Sequence, residues 1–510
     1  MARPSGDDLT VTWSELDGYV DAVASALLGL NLPVNRARVA IALPNVPEFA
    51  FVLFGVLRAG LVAVPVNPGY TGRELHHLLS DSGTSVIVAS AEVLGELARV
   101  RDRLPALSHV FAVHARAVPG ARPFTDLTRT APAAAEPGTA GGEDLAVLLY
   151  TSGTAGAPKG AMLSHRSLIA NHRQLARVEP AIVRAGDVVL LALPLFHAFG
   201  LNAGLGAIAW HGATGVLVER FEPEESLDVI ARHRVSVVSA VPQMYAAWTL
   251  LPDPAPRLAT VRLAVSGAAG LDQAMARRFQ DLTGHQIFEG YGLTETSPVL
   301  ATALASPVAK SGSIGRPIPD VEIRLVGRDG SHLARVTSDG LADAEIVDDF
   351  DDDAGGAPGT DPGEIVARGP NLFSGYWPDG GGGPDAEGWW ATGDIAYADE
   401  DGDLFLVDRL GELVIVNGFN VYPHEIELVL AGVAGVAEAA VVGQDDPHTG
   451  QSVKAYVVAS PGERVSREDL IAHCALNLAR FKRPTTIEFV SELPHSATGK
   501  VRKGTLRGKS

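Results

Sequence analysis

The chain has 510 residues, which is too long for one ordinary hydrophobic core and predicts two or three domains. Hydrophobic residues make up 46% of the sequence and charged residues 20%, a composition that is typical of a globular protein and argues against a disordered one. The formal net charge of -19 argues against general nucleic-acid binding, which depends on a basic surface.

The single cysteine, Cys474, excludes an intramolecular disulfide framework and favours a reducing, cytoplasmic location. The N-terminal residues MARPSGDDLT lack the apolar segment of a secretory signal. The longest apolar run, Phe49 to Leu57, is far shorter than the roughly 20 residues of a membrane-spanning helix. We therefore expect no transmembrane segment. A homodimer stays open, since no feature of the sequence indicates one.

The first elements in chain order are helices with recognisable starts. Thr12 with Glu15, and Thr71 with Glu74, have the spacing of capping boxes. Short β-branched runs then alternate with helical stretches, and the runs are SVIVAS, DLAVLLY, DVVLLALPL, VSVVSAV and VRLAVSG. This alternation predicts an α/β fold of βαβ units with largely parallel sheet. Because ligands of such sheets bind beyond the carboxyl ends of the strands, we expect chemistry in the loops that follow these runs.

The loop after DLAVLLY reads TSGTAGAPKG and combines small residues, hydroxyl groups and one lysine. Its glycines let backbone N–H groups approach an anion and Lys159 adds positive charge, so the loop predicts a phosphate site. It is not a Walker loop, because Lys159 follows Pro158 and precedes Gly160 instead of standing between Gly and Ser or Thr. A flexible surface loop would have a similar composition, so this segment alone does not distinguish a phosphate site from an ordinary loop.

Three later segments carry further candidate side chains. FHAFG sets His197 between two aromatic residues, a pattern that is also typical of a buried structural histidine. EGYGLTETSP holds Glu295 in a turn rich in Gly and Thr, which suits Mg²⁺ because this ion takes few protein oxygens and completes its shell with phosphate and water. Asp394 in GWWATGD is placed to accept from ribose hydroxyls, and Lys500 stands in the glycine-bearing LPHSATGK.

The last third of the chain indicates a domain boundary. Residues 348–353 and 379–385 are acidic or glycine-rich and indicate solvated loops rather than cation sites. DGDLFLVDRLGELVIVNGF predicts a short hairpin-like segment, and the following residues have their own αβ pattern. We place the boundary near Arg409, giving an N-terminal domain of residues 1–409 and a C-terminal domain of residues 410–510. The basic tail KVRKGTLRGKS suggests that the domains meet over an anionic ligand, although charged chain ends are common.

Eight segments, in this order and spacing, resemble the adenylate-forming superfamily of acyl-CoA synthetases, luciferases and peptide-synthetase adenylation domains. The resemblance extends over nearly the whole chain. The wording of VNPGYTGRELHHLLSDSG and VNGFNVYPHEIE is most similar to bacterial fatty-acyl-CoA ligases. The resemblance implies a large N-terminal domain of βαβ-type sheets with flanking helices and a small, mobile α+β C-terminal domain. The eight segments are TSGTAGAPKG, FHAFG, SGAAG, EGYGLTETSP, GSIGRPIPD, GWWATGDIAYADEDGDLFLVDR, NGFNVYPHEIE and LPHSATGK.

The resemblance implies two half-reactions that use ATP, Mg²⁺ and coenzyme A. A carboxylic acid is first converted to acyl-AMP with release of pyrophosphate, and the acyl group then passes to CoA with release of AMP. The implied catalytic residues are Lys500, Glu295, Thr294 and His197, with Glu295 holding Mg²⁺. The residues implied to bind ATP or AMP are Thr151, Ser152, Gly153, Thr154, Gly156, Lys159, Gly267, Ala268, Ala269, Glu289, Gly290, Tyr291, Gly292, Thr294, Asp394, Arg409 and Lys500.

The resemblance also implies a hinge and two further subsites. The NGFN loop, with Gly418, Phe419 and Asn420, is implied to line a tunnel for phosphopantetheine. The hinge falls on Gly411, where the family usually has Asp or Lys. The acyl pocket is implied to include His197, Phe199, Val241 and Gly292. A second departure is Ala155, where the family usually has Thr, and it predicts a weaker hold on the ATP phosphates.

The segments implied to line the acid pocket carry no Lys or Arg, which favours an apolar acyl chain over a dicarboxylate or an amino acid. We therefore expect a medium- or long-chain fatty acid, with an aryl or arylalkyl acid as the alternative. A ligase that loads its acyl-adenylate onto a carrier protein also stays open. A luciferase-like oxygenase and a non-catalytic nucleotide-binding protein are disfavoured, the latter because Lys500 and Glu295 are both present.

Overall fold

The computed structural model describes residues 9–30, 32, 37–114, 118–129, 140–151, 158–344, 359–416, 419–446, 449–463, 465–495 and 500–507. These residues have a mixed α/β fold, which confirms the predicted fold class. They form two compact units. The first unit comprises Met1–Gly312, Pro317–Val321 and Arg368–Trp389, and the second comprises Ser313–Arg316, Glu322–Ala367 and Trp390–Ser510. The boundary predicted at residues 409 and 410 lies inside the second unit and stays a prediction.

The first unit begins with a seven-stranded sheet in the order β5-β4-β3-β1-β2-β6-β7. All neighbouring strands are parallel except β6 and β7, which form an antiparallel pair. Buried Val, Leu, Ile and Ala side chains of the central strands pack on helices α3 (Gly72–Asp81) and α4 (Ala91–Ala98). The strands are β1 (Arg38–Ala42), β2 (Val62–Pro65), β3 (Val86–Ala89), β4 (His109–Ala112), β5 (Arg122–Pro123), β6 (Leu145–Thr151) and β7 (Lys159–Ser164).

The second sheet of this unit has the order β14-β13-β12-β11-β10-β8-β9. Its central neighbours are parallel, and β12 turns back into β13 as an antiparallel pair. Helices α8 (Pro223–His233), α9 (Pro242–Thr249) and α11 (Gln273–Thr283) pack on it through a buried apolar cluster. The strands are β8 (Val188–Leu191), β9 (Thr214–Leu217), β10 (Val237–Ala240), β11 (Leu263–Ser266), β12 (Ile287–Gly292), β13 (Val299–Thr302) and β14 (Arg316–Pro317), of which Pro317 belongs to the first unit.

The helices of the first unit confirm both predicted capping boxes. Thr12 and Thr71 each accept the backbone N–H of the glutamate three residues on, and each glutamate side chain reaches back to the cap. The helices are α1 (Trp13–Leu28), α2 (Pro47–Arg58), α3 (Gly72–Asp81), α4 (Ala91–Ala98), α5 (Thr125–Thr128), α6 (His165–Leu175), α7 (Ala207–His211), α8 (Pro223–His233), α9 (Pro242–Thr249), α10 (Ala255–Leu258) and α11 (Gln273–Thr283). A π-helix spans Phe199–Gly206, and 3₁₀ turns span Arg101–Arg103, Thr294–Thr296 and Ala303–Ala305.

The second unit contains two sheets. The first has the order β17-β16-β15-β18-β19-β20, and the second has the order β22-β21-β24-β23 with β25 parallel to β24. The strands are β15 (Glu322–Val326), β16 (His332–Thr337), β17 (Gly340–Ala344), β18 (Gly363–Arg368), β19 (Trp389–Ala398), β20 (Leu404–Arg409), β21 (Val414–Val416), β22 (Phe419–Val421), β23 (Val436–Asp446), β24 (Gly450–Ala459) and β25 (Thr486–Phe489), of which Arg368 and Trp389 belong to the first unit. The helices are α12 (Pro423–Ala431), α13 (Arg467–Asn477) and α14 (Lys503–Arg507), and a 3₁₀ turn spans Arg480–Lys482.

The hairpin predicted for DGDLFLVDRLGELVIVNGF is wrong. Strand β20 pairs with β19, whereas β21 pairs with β22 and β24, so the two runs belong to different sheets. The two runs are close in sequence, but β20 pairs with the ten-residue strand β19 and β21 pairs with the ten-residue strand β24. Among the residues that the structure describes, no helix has the length and apolar character needed to cross a membrane.

Candidate active site

The two ends of the predicted phosphate loop lie side by side in the first unit. Thr151 at the end of β6 is opposite Lys159 at the start of β7 in the antiparallel register. Pro158 is held by His77, whose Nε2 lies 3.4 Å from the proline carbonyl oxygen. Ser152, Gly153, Thr154, Ala155 and Gly156 lie outside the described residues. The structure therefore brings together the cation and one hydroxyl of this predicted site.

The turn after β12 carries Thr294 and Glu295. Glu295 is 7% exposed, and its Oε1 accepts a hydrogen bond of 2.7 Å from the Tyr376 hydroxyl. Burial, together with the nearby charge of Glu295, raises the pKa of Tyr376 above its usual range, so the phenol keeps its proton and donates it. Glu295 also accepts the Phe373 N–H through its backbone carbonyl, at 2.9 Å. Both the backbone and the side chain of Glu295 are therefore fixed.

Buried amide side chains hold the backbone just beyond Glu295. Nδ2 of Asn371 donates to the carbonyl oxygens of Thr296 at 2.9 Å and of Val299 at 3.0 Å. Asn171 on α6 donates to the Val299 carbonyl at 2.8 Å and accepts the Val299 N–H at 3.3 Å. Asn371 and Asn171 are fully buried, so these bonds also satisfy amide groups that water does not reach.

A third amide, Asn202, joins this turn to the π-helix. Its Nδ2 donates to the carbonyl oxygens of Ser297 at 2.7 Å and of Leu168 at 3.2 Å, and its Oδ1 lies 2.8 Å from Nε2 of His172. Ser297 has a left-handed backbone, with φ of 63°, which costs a non-glycine residue roughly 1–2 kcal/mol. The bond from Asn202 helps to offset this cost. Asn171, Asn202 and Asn371 are called the amide belt below.

Gly292 is required by close packing in the same turn. A Cβ at this position would lie 1.8 Å from the Pro298 carbonyl oxygen, which no side chain can tolerate. Gly292 was predicted both in the nucleotide site and in the acyl pocket, and the structure places it where the chain folds back against itself. The turn with Thr294 and Glu295 can form only because this position lacks a side chain.

SGAAG begins at the end of β11, whereas EGYG, expected to follow a strand, forms the last four residues of the neighbouring parallel strand β12. Ser266 at the end of β11 is in register with Glu289 on β12, and a Cβ on Gly267 would lie 3.4 Å from the Gly290 carbonyl oxygen. Oε1 of Glu289 accepts a hydrogen bond of 2.9 Å from Gln273. The structure thus brings together the segments predicted to border adenine, which also contain Ala268, Ala269 and Tyr291.

The predicted acyl-pocket residues also meet in this region. Phe199 and Ala268 pack against the apolar cluster that contains Val241. A Cβ on Gly267 would lie 3.1 Å from a ring carbon of Phe199, so the ring lies directly against the SGAAG backbone. Nδ1 of His197 accepts the Phe199 N–H at 3.4 Å, so the histidine ring is tied to the start of the π-helix.

Within the second unit, Asp394 and Arg409 form a cross-strand ion pair. They are in register on β19 and β20, and Nε of Arg409 lies 3.0 Å from Oδ1 of Asp394, which is 6% exposed. The structure therefore brings the two predicted ribose ligands together. Lys500 is exposed, directly before the bridge between Val501 and His495, and residues 496–499 lie outside the described part.

The predicted hinge is contacted by α14. Both terminal nitrogens of Arg507 donate to the Gly411 carbonyl oxygen at 3.2 Å. Nζ of Lys503 lies 2.8 Å from Glu412 and 2.8 Å from Glu427. Burial alone would lower the pKa of Lys503, but the charges of Glu427, Glu412 and Asp408 outweigh it and raise this pKa. The lysine is therefore charged in the folded protein.

The predicted CoA tunnel is described only in part. Phe419 is 56% exposed, and its ring stacks on Phe481 with centroids 4.8 Å apart. Gly418 and the side chain of Asn420 lie outside the described residues, so the tunnel stays a prediction.

The sequence analysis missed Tyr376 and the amide belt. Asn202 stands within FGLNAGLG, where one amide in an otherwise apolar or glycine-rich run is a signal for a buried hydrogen-bonding role. Tyr376, in SGYWPDG, gives no comparable signal, since its partner Glu295 is 81 residues away in sequence.

Comparison with known proteins identifies the family. The sequence-family model described as AMP-binding enzyme matches residues 2–377. The sequence-family model described as AMP-binding enzyme C-terminal domain matches residues 425–500. Parallel sheets whose strands end in these glycine- and threonine-rich turns fit this assignment. The chain therefore belongs to the AMP-binding enzyme family.

Individual relatives narrow the activity. A long-chain-fatty-acid–CoA ligase of Yersinia pestis is 35% identical over 536 residues, covering 98% of this chain and 89% of the relative. 4-Coumarate–CoA ligase 3 of Arabidopsis thaliana is 34% identical over 513 residues, covering 98% and 86%. The crystal structure of ATP-bound MatB from Rhodopseudomonas palustris has a TM-score of 0.86 at 30% identity, covering 99% and 94%. Within its family the chain is an AMP-forming acid–CoA ligase. The relatives differ in the acids they are named for, so they leave its acid open.

Proposed function

We propose that this enzyme activates a medium- or long-chain fatty acid as acyl-AMP and then transfers the acyl group to CoA. The observation that carries the proposal is the apolar cluster against which Phe199 and Ala268 pack, together with the lack of Lys and Arg in the surrounding segments. A second carboxylate or an ammonium group would be buried there without a countercharge, at a cost of several kcal/mol. An alkyl chain needs only apolar contact.

In the first half-reaction the carboxylate oxygen attacks the α-phosphorus, the bond between the α-phosphorus and the bridging oxygen breaks, and pyrophosphate leaves. Lys159 and the hydroxyl of Thr151 are proposed to bind the β- and γ-phosphates, Thr294 the α-phosphate, and Lys500 the α-phosphate and carboxylate oxygens. Stabilising negative charge on phosphoryl oxygens by positioned donors and cations is the main catalytic demand of this step.

Glu295 fits the role of a Mg²⁺ ligand. It offers a fixed carboxylate in the same turn as Thr294, and among the described residues it belongs to no group of three acid or histidine ligands. A single protein carboxylate suits an ion that takes its other ligands from substrate phosphates and water. Bound there, Mg²⁺ would supply positive charge to the phosphate oxygens.

In the second half-reaction the CoA sulfur attacks the acyl carbon, and the bond from this carbon to the AMP oxygen breaks. The thiol needs access to the acyl carbon where Lys500 stands during the first half-reaction. The proposal therefore includes a rotation of the C-terminal domain about Gly411 between the half-reactions. Asp394 and Arg409 are proposed to hold the ribose, and the NGFN loop to admit the phosphopantetheine arm. The cytoplasmic location remains part of the proposal and rests on the single cysteine.

The test is to incubate the enzyme with ATP, Mg²⁺ and a panel of acids, with and without CoA, and to measure pyrophosphate, AMP and thioester. The panel contains saturated fatty acids of increasing length, 4-coumarate, benzoate and malonate. We expect thioester with the longer fatty acids and none with malonate. Thioester formed only from aryl acids would favour the aryl-acid alternative, and AMP release that CoA does not change would favour transfer to a carrier protein.

Lys500→Ala separates the half-reactions in the same assay. We expect it to abolish acid-dependent pyrophosphate release but to leave the conversion of supplied acyl-adenylate to thioester largely intact. Lys509→Ala, which alters another lysine of the same tail, is the matched control and is expected to keep both activities. Equal loss of both half-reactions in Lys500→Ala would contradict the assigned role.

A further inference from the structure

One phenol contacts two charged groups, of which the proposed function assigns Glu295 to Mg²⁺ and Lys159 to the ATP phosphates. The Tyr376 hydroxyl donates to Oε1 of Glu295 at 2.7 Å, and Nζ of Lys159 lies over the Tyr376 ring, 5.2 Å from its centroid. A carboxylate attracts a hydroxyl proton, whereas an ammonium group is attracted to the face of an aromatic ring. The hydroxyl group of Tyr376 thus contacts a negative charge, and the face of its ring contacts a positive one.

The backbone around Tyr376 is fixed to the elements that carry both charges. The Ser374 N–H donates to the Met162 carbonyl, and the Trp377 N–H donates to the Gly160 carbonyl, so this segment runs along β7 just after Lys159. At the other side, the Phe373 N–H donates to the carbonyl oxygen of Glu295. The segment therefore spans from the strand that begins with Lys159 to the turn that carries Glu295.

A tight glycine turn prevents this segment from shifting. Gly375 has φ of 98°, and a Cβ there would lie 2.1 Å from the Gly380 carbonyl oxygen, so only glycine fits. Tyr376 itself exchanges backbone hydrogen bonds with the same turn, donating to Gly381 at 3.1 Å and accepting from Gly380 at 2.8 Å. The glycine-rich stretch of residues 379–385, expected from sequence to be a solvated loop, closes the turn that positions Tyr376.

We propose that Tyr376 is a positioning residue that orients Glu295 towards the metal and Lys159 towards the phosphates. The inference rests on the proposed function, since it needs Glu295 to bind the metal and Lys159 to bind the nucleotide. Without the hydroxyl, the Glu295 carboxylate would be free to rotate away from the orientation in which it meets the ion. Without the ring, the long Lys159 side chain would lose the surface that restricts it.

Two substitutions separate the two contacts. Tyr376→Phe removes the hydroxyl and keeps the ring, whereas Tyr376→Leu removes both. The readout is binding, measured without turnover by titrating Mn²⁺ in the presence of α,β-methylene-ATP and following the free ion by electron paramagnetic resonance. Binding of the same analogue without metal, followed by calorimetry, reports the contribution of Lys159 separately.

We expect Tyr376→Phe to raise the half-saturating Mn²⁺ concentration about tenfold, the scale of a lost hydrogen bond to a charged group, and to leave metal-free analogue binding unchanged. Tyr376→Leu should have the same effect on Mn²⁺ and should also weaken metal-free analogue binding about threefold, the scale of an exposed cation–π contact. In a Lys159→Met background, Tyr376→Leu should add no further loss of analogue binding.

Tyr245→Phe is the control for a purely structural loss. It removes a buried hydroxyl that donates to the Val238 and Val265 carbonyls and should lower the melting temperature without changing the half-saturating Mn²⁺ concentration. If Glu295→Gln raises the half-saturating Mn²⁺ concentration but Tyr376→Phe leaves it unchanged, the positioning role of Tyr376 is overturned and the metal role of Glu295 stands. If Glu295→Gln leaves the half-saturating Mn²⁺ concentration unchanged, both the metal role of Glu295 and the positioning role of Tyr376 are overturned. Parallel loss of every readout together with a lowered melting temperature in Tyr376→Phe would show a merely structural residue and would also overturn the inference.

Discussion

His172 is a buried imidazole that links α6 to the π-helix. Its Nε2 lies 2.8 Å from Oδ1 of Asn202, and its ring stacks on Trp210 with centroids 5.8 Å apart. Burial, with a smaller contribution from His211, lowers the pKa of His172 to about 4 despite the hydrogen bond to Asn202. At neutral pH the ring is therefore uncharged, and its N–H is available to donate to the amide oxygen.

This histidine predicts a loss of stability in mild acid. The unfolded chain binds a proton near pH 6.5 and the folded chain only near pH 4, so protons favour unfolding as the pH falls through this window. The contribution is present above pH 6.5 and amounts to about 3 kcal/mol of unfolding free energy, lost by pH 4. Urea unfolding of the wild type and of His172→Gln at pH 7 and pH 4.5 measures it.

We expect the loss of stability between these pH values to be smaller in His172→Gln than in the wild type. His332→Gln, at an exposed position on β16, is the control and should behave like the wild type. An unchanged pH dependence in His172→Gln would contradict the assignment.

At the scale of single residues, the sequence identified side chains with chemistry but not the residues that hold them. Glu295, Asp394 and Arg409 stand in recognisable segments, and the structure pairs the last two. Tyr376 and Asn371 act through partners far along the chain, at separations of 81 and 72–75 residues. Such pairings depend on how the elements pack, which local composition does not encode.

At the scale of elements, local signals worked where the local sequence decides the structure. The two capping boxes are formed within three residues, and the β-branched runs became β3, β6, β8, β10 and β11. The hairpin prediction failed because strand partners are chosen over long distances, with β21 pairing with β24 rather than with its neighbour β20. The turn after β12 likewise depends on amides from α6, the π-helix and the segment around Asn371.

The amide belt predicts a specific stability defect. Asn371→Ala would leave the Thr296 carbonyl without its amide donor and would remove one of two donors from the Val299 carbonyl. We expect a loss of about 1–3 kcal/mol in the free energy of unfolding, measured by urea titration. Asn477→Ala is the matched control, because its exposed side chain donates to a carbonyl at 2.8 Å and should cost about 0.5 kcal/mol or less. Equal effects of the two substitutions would show that burial of this amide does not matter.

At the scale of the whole molecule, the sequence predicted the fold class and most of the parallel sheet. The two units group the sheet of β15–β20 with the C-terminal residues rather than with the preceding sheets, and the domain boundary near Arg409 stays a prediction. Gly411 lies within this second unit. A Cβ there would meet nothing within 4 Å, and its φ is not in the left-handed region, so the described conformation does not itself require glycine.

Gly411 therefore predicts a defect in motion rather than in folding. We expect Gly411→Pro to spare acid-dependent pyrophosphate release and to slow thioester formation from supplied acyl-adenylate by about tenfold or more, equivalent to about 1.4 kcal/mol of activation free energy. The fixed proline φ would restrict the proposed rotation. Gly411→Ala, which fits the described space, should retain both half-reactions. Equal loss of both half-reactions in Gly411→Pro would contradict the hinge assignment.

The amide belt has a consequence for the conditions in which the enzyme can work. Asn171, Asn202 and Asn371 hold the turn beyond Glu295 with neutral groups, whereas ion pairs between exposed charges are screened by dissolved salt. A rise in ionic strength should therefore weaken the proposed attraction between ATP and Lys159 but leave the turn itself in place. Salt should act on how tightly the nucleotide binds and not on the shape of the turn that we propose to receive it.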